Sequence, residues 1–546
     1  MGNIIQQKST RDLTRYIFNN ILISRQKIAV LYHLTFILSV AFCYCTAAWG
    51  DVYIRNDKLH LSWEKKSSRI KEWNLRAKGE QEWISLLTCD RSGRVLSRHL
   101  ELKGIDVNDA EWLPSTIENG LMFQGRSEDG TIAVRKRIHL NEINYRLRLQ
   151  IEIENLTGKP LVIPESVHLI LGPGLGEYPA ETFGIAEKLY SFVEPIIAVD
   201  SKVKPVNLQK GEITVEYTNN MQPSFWCGLH SRYFALLLMP EDAYLPRSVS
   251  FRPGNDLVSS YLPTRYLPEL SIDLNVIKLQ PRQLIKIEFL IFSGPKSVSV
   301  LGIEGTDFSG LLFAGLWNWM RGLSLGVLWL LETIHTYIPS WGVTILILAI
   351  IVRLLMYPIA QRALSSQKQF AEVQKTIQPK IREIKLKFRG AQQSEKILEL
   401  YKQYQVSPLA GLKPLLIVLI QVPIFVALFH VLGSAFELRD ANFLWIKTLA
   451  EPDRLIPLGR ELPFVGSYFN VLPIILAVST LLTIKLSPAP SAEEKLLSIQ
   501  NVFLILMAIG FFLIFYSFPA GMVLYWTMAN LLHILQFKIV SFKKNV

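Results

Sequence analysis

The side chains that could do chemistry in this sequence are the polar ones that interrupt apolar stretches. Arg353 is the single charge in WGVTILILAIIVRLLMYP (341–358). Gln421 breaks PLLIVLIQVPIFVALFHVLG (414–433), and Thr527, Asn530, His533 and Gln536 break the apolar run that follows Met522. Asp and Glu are absent from these stretches, which argues against a proton-coupled pump built on buried carboxylates. An arginine inside hydrocarbon costs at least ~2.5 kcal/mol on insertion scales, so it usually faces protein or water and marks a function. The plainer alternative is that Arg353 snorkels to headgroups about two turns away. Each uncharged polar group, taken alone, is accounted for by a helix–helix hydrogen bond. Together they would line a wet cavity that closes around no fixed substrate and attracts the acidic or polar part of a passing polypeptide.

Other chemistry has no foothold. The sequence contains no phosphate-binding glycine loop, no H-E-x-x-H and no G-x-S-x-G. Its nine histidines are scattered, so no catalytic site, metal site or cofactor is expected. Cys43, Cys45, Cys89 and Cys227 match neither a disulfide scaffold nor a zinc site. Cys89 and Cys227 could pair in an oxidising compartment, though nothing local requires it.

These polar groups need apolar elements to hold them. With 546 residues, half of them hydrophobic, the chain is too long and too apolar for one soluble domain. A net charge of +12 would suit nucleic acid, but the basic residues gather beside apolar spans, as they do in cytoplasmic loops of membrane proteins. Residues 1–27 are a basic tail, and IAVLYHLTFILSVAFCYCTAAW (28–49) carries no charge and is long enough to span. That order leaves the N-terminus in the cytoplasm and sends the chain out. A cleaved signal peptide competes, since Thr46-Ala47-Ala48 offers small residues near a cleavage site; the length of the span favours an uncleaved anchor. Residues 50–306 alternate apolar and polar side chains, as in TIAVRKRIHL (131–140), YRLRLQIEIENLTG (145–158) and LIKIEFLIFSGP (284–295), and so read as a large β-sandwich outside.

Residues 307–340 read as an amphipathic helix in the outer interface, with Trp317, Trp319 and Trp329 at headgroup level. Counting 311–331 as a span would put the basic segment 360–412 outside. That segment holds ten Lys/Arg against four Glu, a net of +6. Its stripe Phe370, Val373, Ile377, Ile381, Ile384 and Phe388 marks one helix face, Gly390 breaks it, and Ile397, Tyr401 and Tyr404 resume it. A cytoplasmic helical hairpin follows, with Pro379 kinking its first arm. Its Lys380, Arg382, Lys385, Lys387 and Arg389 either enforce topology alone or attract anionic lipid, ribosomal RNA or a nascent chain. Spans at 414–433, 471–486, 502–518 and 522–540 complete a core over 341–546, with 434–469 as an external loop and the C-terminus in the cytoplasm.

The run at 341–358, then IQPKI (377–381), YKQYQVSPLAG (401–411), QVPIFVAL (421–428), FELRDANFLWI (436–446) and FPAGMVLYWTMANL (518–531), resembles the YidC/Oxa/Alb membrane-protein insertases, Gram-negative YidC type. Weaker motifs, GLGEYPAETFG (174–184) and FWCGLHSRYFALLLMP (225–240), extend the likeness into the β region. The resemblance implies an α-helical polytopic membrane protein, an N-terminal anchor plus five-helix insertase core with a large periplasmic β-supersandwich. It implies a non-enzymatic insertase and chaperone in the inner membrane, working alone or beside the Sec translocon, with nascent membrane proteins as substrates and the ribosome and anionic lipids as partners, functional as a monomer. It also implies a groove open to cytoplasm and lipid, carrying Arg353, Gln421, Tyr525, Trp526, Thr527 and Asn530. Two departures make that groove less polar: Ala349 stands where the family often has Thr, and Trp526 follows Tyr525 where a second Tyr often sits. Two other readings compete. A carbohydrate-handling membrane protein needs an aromatic and carboxylate cluster in the β-sandwich, and a small-solute transporter predicts repeat symmetry and broken helices, neither of which is visible.

Overall fold

The structure, a computed structural model, describes residues 52–542 apart from 177–191, 218–224, 242–245, 254–266, 303–307, 405–412, 487–505 and shorter turns. The expected tail and anchor (1–49), the first residues of the expected span at 502–518 and the far end of the hairpin lie outside the described residues.

Alternation becomes strand where one face can be buried. Ile132–Leu140, Arg146–Asn155 and Leu284–Pro295 pair antiparallel at the middle of a nine-stranded sheet. Its order is Lys202–Pro205, Val193–Val199, Trp226–Ser231, Phe234–Pro240, Leu284–Pro295, Arg146–Asn155, Ile132–Leu140, Gly120–Arg126 and Leu113–Ile117. Val134, Ile138, Leu149, Ile151 and Ile287 point into a core shared with Leu270 and Ile272 of a five-stranded sheet, which makes the sandwich. On the other face Arg135 pairs with Glu154, and Arg137 with Glu152, across neighbouring strands. Cys89 and Cys227 are not joined; Cys227 is a fully buried thiol in the strand Trp226–Ser231.

The stretch read as one interfacial helix divides in two. Residues 309–316 turn rather than coil, with Phe313 and Gly315 at φ +55° and +91°. Leu311 and Leu312 insert into the sandwich core, and Gly310 lies so close to Val203 that an added Cβ would sit 2.5 Å from it. The helix itself, α1, is Asn318–Tyr337. Arg321 donates from Nε to the Leu312 carbonyl and from Nη2 to the Ser309 carbonyl, both at 3.0 Å. It thereby fastens α1 to the sandwich. Trp317, which caps α1, and Trp319 and Trp329 on it are 74%, 56% and 66% exposed, while Val327, Leu328, Leu331 and Ile334 of α1 are buried.

The second difference concerns the prolines. The apolar run and the first hairpin arm form one 47-residue helix, α2 (Trp341–Lys387), which continues through Pro358 and Pro379 instead of ending at 358. Each proline removes one N–H from the ladder, a loss the long flanking turns on both sides absorb. Then come α3 (Ala391–Gln403), α4 (Lys413–Ser434), α5 (Leu472–Leu486) and α6 (Ala520–Phe542). A two-stranded hairpin, Ile456–Leu462 with Gly466–Phe469, lies in the segment between α4 and α5. Among the described residues one helix is long and apolar enough to cross a membrane, Trp341–Ile359, and Gln421–Ser434 and Leu472–Thr483 are shorter apolar stretches.

Leu331, Ile345, Leu348, Ala349, Leu428, Val431, Leu476 and Val523 form a second core where α1, α2, α4, α5 and α6 meet. At the end nearest the sandwich the bundle is stitched by backbone. Gly521 N–H donates to the Leu449 carbonyl at 2.8 Å and Ala520 N–H to that of Glu451 at 2.7 Å. Asp453 accepts from the first turn of α5, at Val471 and Leu472 N–H (2.8 and 2.9 Å), and from Trp445 Nε1 (3.2 Å). Gly342 passes so close to the Phe443 ring that a Cβ would lie 2.1 Å away, so only glycine fits there.

Candidate functional site

The charge inside the bundle is held by α6. Arg353 Nη2 donates to Gln536 Oε1 at 3.1 Å and also to His533 Nδ1. Both acceptors are neutral, and among the described residues no carboxylate pairs with Arg353. The guanidinium stays protonated at any physiological pH. Two of its five N–H donors are therefore met while its charge is not cancelled, and a positive field remains on a face that is only half-buried. An arginine that merely reached out to headgroups would not need two acceptors from a neighbouring helix.

Asn530 is placed on the same helix, three residues before His533. It reaches across to α5, its Nδ2 donating to Thr480 Oγ1 at 2.8 Å and Ser479 Oγ at 3.3 Å. Asn530, His533 and Gln536 recur every three residues, so they form one polar stripe that faces α5 at one level and α2 at the next. That spacing was the signal for His533 and Gln536, which belong to the site more directly than several residues the resemblance supplied. Thr527 is buried and turns its hydroxyl back to the Val523 carbonyl, at 2.8 Å. Tyr525 is buried in the apolar core, where Ala349 lies too. Trp526 packs edge-on against Phe425, ring centroids 5.1 Å apart, and tilted against Phe515 at 5.8 Å. Gln421 is half-buried on α4 and is neither of the two acceptors of Arg353.

The hairpin is built from its apolar stripe. Ile377 and Ile381 of α2 bury against Leu400 of α3, with Val373, Ile384, Ile397, Tyr401 and Tyr404 around them. Gly390, at φ +63°, makes the turn. Lys380 is tied down, donating from Nζ to Tyr404 Oη at 2.6 Å. Arg382, Lys385, Lys387 and Arg389 are exposed on the outer surface of the hairpin.

A β-sandwich carried on an apolar helical bundle, with an arginine held by neutral groups inside the bundle, defines a membrane protein with a polar face set among apolar helices. Two family models match it in tandem, the YidC periplasmic domain over residues 110–330 and the 60Kd inner membrane protein over 333–545. The chain belongs to the YidC family of membrane protein insertases. It is 26% identical over 414 residues to the membrane protein insertase YidC of Syntrophobacter fumaroxidans, covering 74% of this chain and 68% of that one. The YidC of a Janthinobacterium species is 30% identical over 365 residues, 65% of this chain and 59% of the relative. That of Blochmanniella floridana is 28% identical over 447 residues, 79% and 71%. Among solved structures, an active YidC insertase with its first transmembrane domain resolved covers 90% of this chain and 92% of its own, at 16% identity and a TM-score of 0.32. A galactose mutarotase related enzyme from Lactobacillus acidophilus covers 44% of this chain and 97% of its own, at 11% identity and a TM-score of 0.31. At those scores neither structure bears on function.

Proposed function

We propose that the chain inserts nascent membrane proteins into the inner membrane through a polar groove formed by α2, α5 and α6. The observation that carries this reading is Arg353 held by His533 and Gln536 with no carboxylate beside it among the described residues. A substrate's hydrophilic segment enters from the hairpin side. The guanidinium and the Asn530–Gln536 stripe, with the water they attract, lower the cost of removing that segment from bulk solvent. Its apolar segment meanwhile moves into lipid. Burying ~20 apolar residues supplies the drive at roughly 25 cal/mol per Å², so no nucleotide is required. Arg353 contributes field and forms no bond to substrate.

In this reading α2, α4, α5 and α6 span together with 502–518, an anchor at 28–49 precedes the sandwich, and both termini are cytoplasmic. The sandwich and the 434–469 segment face the periplasm, α1 lies in the outer interface with its tryptophans toward headgroups, and the basic hairpin lies in the cytoplasm, within reach of ribosome and anionic lipid. The Sec translocon is a partner for some substrates, and one copy of the chain suffices. Photocrosslinking from position 530 to a ribosome-bound nascent membrane protein tests the groove. Adducts should form with the segment that is being translocated and fall when Arg353 is replaced by Ala. Adducts only with the apolar segment would place the substrate on a different face.

A further inference from the structure

The turn Ser231–Phe234 also joins the sandwich to the bundle, and it carries a guanidinium aimed at two carbonyls. Arg232 Nε donates to the Gly433 carbonyl and Nη2 to the Ala450 carbonyl, each at 2.7 Å. Gly433 lies in the last turn of α4, whose final carbonyls have no partner within the helix. Ala450 lies between Leu449 and Glu451, the two residues whose carbonyls accept from the first N–H groups of α6. One side chain from the sandwich therefore fixes the end of α4 to the segment that seats α6, and α6 carries the polar stripe facing Arg353.

The surroundings hold Arg232 in that pose. Its guanidinium lies 4.7 Å from the centroid of the Tyr233 ring. Tyr233 and Phe234 both meet Phe436, edge to face, with ring centroids 6.5 and 5.8 Å apart. The Arg439 guanidinium lies over the Phe234 ring, 5.5 Å from its centroid. Behind the turn, half-buried Lys296 donates from Nζ to the Ser231 carbonyl at 2.9 Å, and its backbone N–H to that of Tyr233 at 2.7 Å. A turn pinned from both sides acts as a strut.

We propose that Arg232 is a positioning residue for insertion, a brace by which the sandwich keeps the periplasmic end of the groove closed and α6 in register with α2. This rests on the groove reading above, and its test needs no substrate, so either can fail without the other. The carbonyls at 433 and 450 cannot be removed by substitution, so the donor is varied instead. Arg232→Met keeps much of the packing over Tyr233 and removes both donors, and Arg232→Lys keeps a cation able to reach the carbonyls.

Val523→Cys supplies the reporter, since Val523 is buried one turn into α6, on the sandwich side of the polar stripe. In a full-length chain whose native cysteines are replaced by Ala, a membrane-impermeant maleimide is added from the periplasmic face. Loss of two charge-assisted hydrogen bonds from a local opening equilibrium should speed labelling of the Arg232→Met chain by about tenfold or more. Arg232→Lys should return it most of the way to the parent rate, and insertion should follow the same order. Equal labelling of parent and Arg232→Met, with the sandwich still protease-resistant, overturns the proposal. So does equal acceleration in the Lys and Met chains, or loss of the sandwich fold in the Met chain, because the arginine would then serve its own domain's stability.

Discussion

Arg353 and Gln536 are 183 positions apart in sequence and 3.1 Å apart at Nη2 and Oε1. The contact joins α2 to α6, the last helix of the bundle. With His533 as the second acceptor, it gives a half-buried cation two partners without neutralising it. Satisfaction and charge can therefore be separated by mutation.

His533→Leu should leave one donor of Arg353 short of a partner, at a cost of about 1–3 kcal/mol for an unmade buried hydrogen bond. His533→Gln offers an amide oxygen on the same stripe and should recover most of that loss. Thermal unfolding of the purified chain in detergent, followed by its size-exclusion peak, checks the order parent, Gln, Leu. A Leu chain as stable as the parent would mean that Arg353 finds its partner in water.

Inside the sandwich two buried bases set a pH dependence. Lys136 is fully buried, donates to the Leu100 carbonyl, and is pushed by burial from 10.5 down to about 7, opposed by Glu101. His99, also buried, is pushed by burial from 6.5 down to about 4, opposed by its hydrogen bond with Leu86. In both cases the unfolded chain binds the proton more readily, so stability rises with pH. His99 contributes that rise from about 4 to 6.5, and Lys136 from about 7 to 10.5. Urea unfolding of the sandwich, read by tryptophan fluorescence in the full chain, should show both limbs. Lys136→Met should flatten the upper limb and leave the lower one. A Met chain with an unchanged upper limb would assign the rise to another group, with half-buried Lys296, pushed down to about 8, the first to examine.

The side of the membrane on which the hairpin lies is testable by access. Gln392 is exposed at the start of α3. In a cysteine-free chain, Gln392→Cys should resist an impermeant thiol reagent in intact cells whose outer membrane admits it, and react once the inner membrane is permeabilised. Ready labelling before permeabilisation would invert the proposed topology.

What was legible in the sequence was what local periodicity encodes. Alternation over 132–140 and 284–295 marks strands because each has one buried face, and Ile377, Ile381 and Ile384 mark the hairpin because they bury together. Arg353 stood out because its surroundings are apolar. Contacts set by distant chain were not legible. Residues 311–316 are as apolar as a helix, yet Val203 and Pro205 beside Gly310 and Gly315 hold them as a turn on the sandwich. Pro358 read as the end of a span and Pro379 as a kink in the hairpin's first arm, but the packing of α2 on α1, α4 and α6 and its own hairpin carries one helix through both. Thr527 matched a motif, and only the fold shows its hydroxyl spent on the Val523 carbonyl. His533 and Gln536 were visible as polar residues, while their partner, nearly two hundred residues earlier, was not.

The central claim is that Arg353 acts by field in a polar groove, and moving the charge tests it most directly. Insertion of paired substrates, differing only in acidic or neutral translocated segments, is measured for the parent, Arg353→Lys, Arg353→Ala and a chain carrying both Arg353→Ala and Tyr357→Arg. Tyr357 lies one turn nearer the hairpin and is exposed. Each chain must accumulate to parent level. The Lys chain should keep much of the activity, and the Ala chain should lose about tenfold on acidic segments, ~1.4 kcal/mol of lost attraction, and less on neutral ones. The shifted chain should stay impaired, because a charge one turn lower misses His533 and Gln536. Equal insertion by parent, Ala and shifted chains across both substrates would contradict the account and leave Arg353 as a topology anchor.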